Sequence, residues 1–188
     1  MMLYINGSTH AMAAEAATSY IVASDDPALG HLGKLPHPAN LSVSWGKMLS
    51  IALRAGFQCG AVLDNTIDQI IDDTTVWVNS QHQDSIVIIE WADITPDDED
   101  KIWQFHKNLD KKNIKHIFFN SNNPLTNNQS YDWNYCYISP TGVDGTYERR
   151  LQIANIETVS PTSKHYGRDG HVFWNRFLLN YVISQDFI

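Results

Sequence analysis

The fold is decided by one stretch near the start of the chain, Leu3-Tyr4-Ile5-Asn6-Gly7-Ser8-Thr9-His10-Ala11. Here a short apolar strand runs into a glycine, two hydroxyl residues and a histidine. An alanine-rich, helix-favouring segment follows. Because ligands of an open α/β sheet collect at the carboxyl ends of its strands, a hydroxyl in this turn is a candidate nucleophile. A Gly-Ser-Thr turn also caps helices, so both interpretations stay open.

The rest of the chain alternates between strand and helix patterns. Residues 85–91 form an apolar, β-branched run that is typical of a parallel strand buried on both faces, and residues 43–55 carry a helical stripe. We predict strands at 2–5, 57–63, 85–91 and 115–120, with a shorter fifth strand at 133–138. We predict helices at 11–21, 43–55, 67–79, 95–112 and 170–184, a short one near 146–153, and loops at 28–41 and 121–132. This order predicts a three-layer α/β/α, flavodoxin-like, doubly wound parallel sheet of four to five strands.

Composition argues against several classes of protein, among them nucleic-acid-binding and membrane-spanning proteins. The chain has 188 residues, of which 43% are hydrophobic, so we expect a single domain over 1–188. Its formal net charge of −8 argues against nucleic acid as a partner. It contains no run of about 18 apolar residues that could span a membrane, and no signal peptide is recognisable. Cys59 and Cys136 lack the spacing of metal ligands, and we expect free buried thiols.

Chemistry-bearing residues follow several of the predicted strands. In the predicted sheet, residues 7–10, 64–68, 90–93 and 120–123 and the loop at 163–171 meet at one edge. The last loop holds His165, Asp169 and His171, the residue types that serine-type hydrolases use as base and orienting acid. Taken alone, each histidine fits a surface or helix-capping role better than a catalytic one. A zinc site made of His10, His165 and His171 is a third interpretation.

The order of these blocks resembles the SGNH/GDSL hydrolase superfamily, and more narrowly the SGNH-type proteins encoded by tailed marine cyanophages. The family has a flavodoxin-like fold, a Gly-Asp-Ser block after the first strand, and a histidine near the C-terminus. The matching segments span nearly the whole chain. They are Leu3-Tyr4-Ile5-Asn6-Gly7 with His10, Ala13-Ala14-Glu15-Ala16, Pro36-His37-Pro38, Ser44-Trp45-Gly46, Ile70-Ile71 with Thr74-Thr75, Val87-Ile88-Ile89-Glu90-Trp91, His116-Ile117-Phe118-Phe119-Asn120, and His165-Tyr166-Gly167 through His171 to Trp174.

The resemblance implies a nucleophile and an oxyanion site. The family serine falls on Thr9 and the aspartate before it on Ser8. Threonine can attack an acyl carbon, but its extra methyl group stiffens the side chain and crowds the path of attack. Gly60 matches the glycine whose backbone N–H holds the oxyanion. The family asparagine, which supplies a second donor, falls on Ile67, and Asn65 lies two residues before it.

The resemblance also implies a base and an acid. His171 fits the family base, whereas the acid expected three residues earlier falls on Arg168. Asp169, two residues before His171, is the nearest carboxylate in the sequence. A carboxylate there faces a different direction at the start of a helix.

These departures favour a degenerate protein that is catalytically weak or inactive and has a structural or binding role. The resemblance implies a component of a phage particle with protein partners, in the host cytoplasm during infection, without a cofactor or a metal. The alternative is an active ester or acetyl-ester hydrolase, acting on an acyl or carbohydrate ester. In it Thr9 attacks, His171 takes the proton, and Asp169 or His165 orients the ring. Around them, Gly60, Asn65, Ser8 and His10 would line the oxyanion and substrate site.

Overall fold

The computed structural model describes residues 1–7, 11–13, 35–80, 84–91, 94–120, 137–138 and 167–188. The helix predicted near 146–153 and the loop at 121–132 lie outside these residues. So do most of the helix predicted at 11–21 and most of the loop at 28–41.

The described elements alternate as the sequence predicts. In chain order they are β1 (Met2–Gly7), α1 (Pro38–Ser42), α2 (Trp45–Ala52), β2 (Gly56–Cys59), α3 (Ile67–Ser80), β3 (Ser85–Trp91), α4 (Pro96–Lys111), β4 (Lys115–Asn120), β5 (Tyr137–Ile138) and α5 (Arg168–Ser184).

The strands form one parallel sheet in the order β2-β1-β3-β4-β5. This order confirms the flavodoxin-like, doubly wound fold, and the five strands reach the upper limit of the prediction. Strand β1 has β2 on one side and β3 on the other, so the chain changes winding direction between β1 and β3. Sheets of this kind bind ligands above such a switch point, at the carboxyl ends of the strands.

Alternating strand residues build a core on each face of the sheet. On one face the strands pack against α2 and α5, and on the other against α3 and α4, which makes three layers. The strand residues of the first core are Leu3, Ile5, Ile86, Ile88, Ile117 and Phe119. Those of the second are Tyr4, Val87, Ile89, Trp91 and Phe118.

Local capping explains where the helices begin. Helix α4 starts at Pro96 behind a capping box, in which the Thr95 backbone N–H donates to the Asp98 carboxylate at 3.0 Å. Helix α2 starts behind Ser44, whose hydroxyl oxygen accepts the Lys47 N–H at 3.0 Å.

Several bounds differ from the prediction, two of them by four residues. Residues 38–41 were predicted as loop, but they belong to α1, which begins with Pro38 at a position where proline favours a helix. Strand β2 ends at Cys59 rather than at residue 63, because it is an edge strand that pairs only with β1. The chain then turns at Asp64, whose φ is 58°.

No helix within the described ranges is both long enough and apolar enough to cross a membrane.

A pair of buried histidines joins α4 to β4. His116 Nδ1 lies 2.6 Å from the Ile114 carbonyl oxygen, so this nitrogen carries the proton. His116 Nε2 then accepts from Nδ1 of His106 at 2.8 Å. Burial lowers the pKa of His116 from 6.5 to about 4, because the charged ring cannot keep its water shell.

This pair makes folding sensitive to acid. Below pH 6.5 the unfolded chain binds a proton at His116 that the folded chain accepts only near pH 4. We therefore expect the free energy of unfolding to fall as the pH drops from about 6.5 to about 4, by up to about 3 kcal/mol. Urea unfolding across this range measures it. The variant His116→Gln should lose less stability over the same range, and equal losses in both proteins would contradict the assignment.

Candidate active site

A row of three neighbouring residues lies at the carboxyl edge of the sheet. Gly7, Glu90 and Phe119 lie side by side on β1, β3 and β4. Gly7 has a φ of 145°, and a Cβ atom there would overlap the Glu90 carbonyl oxygen. Only glycine fits this position. The next residues in the sequence, Ser8, Thr9 and His10, lie outside the described residues.

Glu90 is a site residue to which sequence reasoning gave no role. Its side chain is fully buried, and its Oε2 would lie 3.1 Å from a Cβ atom at Gly7. A buried carboxylate is costly unless other groups compensate it, and this one lies beside Gly7, the last residue of β1. The signal in the sequence was a charged residue near the end of an otherwise apolar strand.

A second polar group, Asn6, lies on the opposite face of β1 and is also fully buried. Its Oδ1 accepts the Gly7 N–H at 2.8 Å and the Asn65 Nδ2 at 3.2 Å. Its own Nδ2 donates toward Tyr4 Oη at 3.2 Å and Thr74 Oγ1 at 3.2 Å. Sequence reasoning missed Asn6 as well, although a carboxamide within a buried strand could have pointed to it.

The structure brings Asn65 to the base of the turn, since its carboxamide shares the Asn6 oxygen with the Gly7 N–H. Ile67, where the resemblance places the family asparagine, packs against the core on the α3 and α4 face. The Asn65 position is therefore the one from which a side-chain donor could reach this end of the sheet.

Gly60 has a different role in the structure from the one that the resemblance implies. Its backbone N–H donates to the Ile5 carbonyl oxygen at 2.8 Å, so the ladder between β1 and β2 already uses this donor. A Cβ atom at Gly60 would overlap the Tyr4 hydroxyl. Packing against Tyr4 is sufficient to require glycine here, and the N–H is not available to an oxyanion.

His171 is buried in the first turn of α5, with 1% of its surface exposed. Its Nδ1 lies 3.3 Å from the backbone nitrogen of Trp45, at the start of α2. A backbone N–H only donates, so Nδ1 must accept, and the neutral ring carries its proton on Nε2. The imidazole thereby satisfies one of the N–H groups that the first turn of α2 leaves without a partner inside the helix.

Asp169 does not reach His171. Its side chain is exposed, and no hydrogen bond or ion pair joins it to another residue in the described part of the chain. Residues two apart on a helix point to different sides, which explains the separation. Arg168, at the family acid position, is also exposed. The expectation that Asp169 orients His171 is therefore not supported by this geometry.

The described residues offer neither a metal site nor a reactive thiol. Among the described residues, no cluster of three or more histidine, cysteine, aspartate or glutamate side chains could hold a metal ion. His10 and His165 lie outside them, so the zinc interpretation stays a prediction. Burial raises the pKa of the Cys59 thiol to about 12, which leaves it protonated and unreactive at neutral pH. Cys136 also lies outside the described residues.

Comparison with solved structures supports the fold. A structure from Desulfitobacterium hafniense DCB-2, of a protein assigned to the G-D-S-L family of lipolytic proteins, superposes with a TM-score of 0.58. The chain thus has the fold of a GDSL-type lipolytic protein. The two sequences are 11% identical, and the match covers 96% of this chain and 99% of the other. No protein-family model and no curated protein matches the sequence.

The contact between His171 and Trp45 predicts an unusual order of variant stabilities. Asn and Leu have similar branching, but only Asn places an acceptor oxygen where Nδ1 stands. In a buried apolar site Leu normally stabilises more than Asn. Here we expect His171→Leu to unfold more easily than His171→Asn by about 1–3 kcal/mol, because Leu leaves a buried N–H without an acceptor. Thermal and urea unfolding measure the difference, and the opposite order would show that this hydrogen bond contributes little.

Proposed function

We propose that this chain is a degenerate member of the SGNH/GDSL fold, catalytically weak or inactive, which serves as a binding or structural protein. The observation that carries the proposal is the hydrogen bond from the Trp45 backbone N–H to His171 Nδ1. Through this bond His171 connects α5 to the start of α2.

The chemistry of acyl transfer explains why this bond matters. A catalytic histidine needs a lone pair on the nitrogen that faces the nucleophile, and it donates its other N–H to an orienting acid. In this chain the lone pair of the neutral ring is on Nδ1 and is already used by Trp45. If the ring proton moved to Nδ1, this N–H and the backbone N–H of Trp45 would face each other with no acceptor between them. The ring is thus in the wrong tautomer for a base that acts through Nε2.

The oxyanion side of the site is weakened as well. The Gly60 N–H is bonded to Ile5, and Ile67 replaces the family asparagine. Loss of a single oxyanion donor lowers the rate by about 10²–10³. Because base, acid and oxyanion donors act as a unit, these losses together support very low turnover.

The location that we propose for the protein is a phage particle or the cytoplasm of an infected host. It is supported by the resemblance of nearly the whole chain to proteins encoded by tailed marine cyanophages. The formal charge of −8 favours protein partners over nucleic acid, since a negative surface repels phosphates.

One observation favours the second candidate, an ester hydrolase that uses Thr9 as its nucleophile. The Asn65 carboxamide lies at the base of the Thr9 turn, and one of its two N–H groups is not needed for the bond to Asn6. That N–H could hold a developing oxyanion. In this mechanism His171 would first have to break its bond to Trp45.

Hydrolysis of p-nitrophenyl acetate separates the two candidates. We expect the wild type and Thr9→Ala to hydrolyse this ester at the same rate, since the tautomer of His171 prevents it from activating Thr9. The control Thr9→Ser restores the family nucleophile and should gain little, because the base is still held by Trp45. A wild-type rate about 100-fold above that of Thr9→Ala would establish the esterase instead.

The structural role has its own test, by quantitative mass spectrometry of purified particles of the encoding phage. We expect the chain in a fixed ratio to the other particle proteins, retained after density-gradient purification. A content that falls with each purification step would identify it as a contaminant and contradict a structural place in the particle.

A further inference from the structure

Asn6 satisfies every hydrogen-bonding group of its side chain inside the protein. A carboxamide offers two N–H donors and two oxygen lone pairs. The Nδ2 donors of Asn6 face Tyr4 Oη at 3.2 Å, Thr74 Oγ1 at 3.2 Å and the Ile70 carbonyl oxygen at 3.4 Å. Its Oδ1 accepts from the Gly7 N–H and from Asn65 Nδ2.

The two ends of this side chain face different parts of the molecule. The Nδ2 end is anchored to β1 and α3, which belong to the packed core. The Oδ1 end holds the first residue of the nucleophile turn and a side chain of the loop before α3. Asn6 therefore connects a fixed support to two groups of the candidate site.

The orientation of Asn65 depends on this connection. Its Nδ2 donates to Asn6, while its own Oδ1 is buried and has no hydrogen-bond partner among the described residues. A carboxamide held at a single atom loses its orientation when that contact is removed. Gly7 is likewise held, since its N–H would otherwise face a buried space without an acceptor.

We propose that Asn6 is a positioning residue, which fixes the Asn65 carboxamide and the start of the Thr9 turn relative to each other through one shared oxygen atom. This inference rests on the proposed site at the β1 turn, but not on whether that site turns over. It explains why a polar residue occupies a buried strand position that an apolar residue could fill.

The test uses the full chain with ¹⁵N-labelled asparagine and glycine, observed by NMR. The Asn65 side-chain signals are assigned by their loss in Asn65→Ala. In the wild type we expect a nuclear Overhauser effect between the Asn65 side-chain amide and the Gly7 N–H, because both protons point at the same oxygen. In Asn6→Ala we expect this effect to vanish and the Asn65 amide protons to exchange about tenfold faster, as loss of one hydrogen bond implies.

Two further variants separate positioning from general stability. Thr74→Val removes an acceptor at the Nδ2 end only, so it should lower the melting temperature and leave the Asn65 signals unchanged. Asn6→Asp keeps the shared oxygen and should keep the contact between Asn65 and Gly7. Unchanged Asn65 signals in Asn6→Ala would overturn the proposal, and so would an equal loosening of Asn65 in Thr74→Val. If Asn6→Ala does not fold, absence of the Overhauser effect in the wild type overturns it.

The outcome is independent of the proposed function. Ester hydrolysis that depends on Thr9 would contradict weak catalysis and would leave the NMR result standing. Asn6→Ala should then lower kcat with little change in KM, since it disturbs groups that act on the reacting acyl carbon. Absence of the contact between Asn65 and Gly7 in a wild-type protein that hydrolyses no ester would refute the positioning role alone.

Discussion

The rest of the structure depends on β1 being hydrogen-bonded on both sides, to β2 and to β3. A strand in this position is buried on both faces, and it ends where the winding direction of the sheet reverses. Its last residues therefore have little freedom. Gly7 must be glycine because Glu90 lies beside it, and Asn6 must find hydrogen-bond partners because no water reaches it.

Because β1 is buried on both faces, the polar groups of the candidate site are divided between the two faces of the sheet. Asn6 and Asn65 lie on the α3 side of β1, where they fix the start of the turn. Glu90 lies on the other face, where α2 and α5 pack and where His171 joins the two helices. Several polar atoms at this end of the sheet are thus used for internal contacts.

Much of this could be predicted from the sequence. Buried parallel strands such as β3 are recognisable in the sequence as apolar runs, and the Thr-Pro start and apolar stripe of α4 indicate a helix. The helix α1 and the early end of β2 could not be predicted. A five-residue helix has almost no periodicity, and the length of an edge strand depends on its single partner.

The sequence by itself determined the order of the elements, the chemistry available at the carboxyl edge and its departures from the family pattern, because periodicity and residue type are local properties. The tertiary structure decided which atoms are free to act. Trp45 is 126 positions from His171, yet its N–H decides the tautomer of that ring, and Ile5 takes the N–H of Gly60. Such contacts exist only once the sheet brings distant segments together, so no local pattern encodes them. The sequence placed the candidate nucleophile directly after β1, and the fold placed Asn6, Asn65 and Glu90 around Gly7, the last residue of that strand.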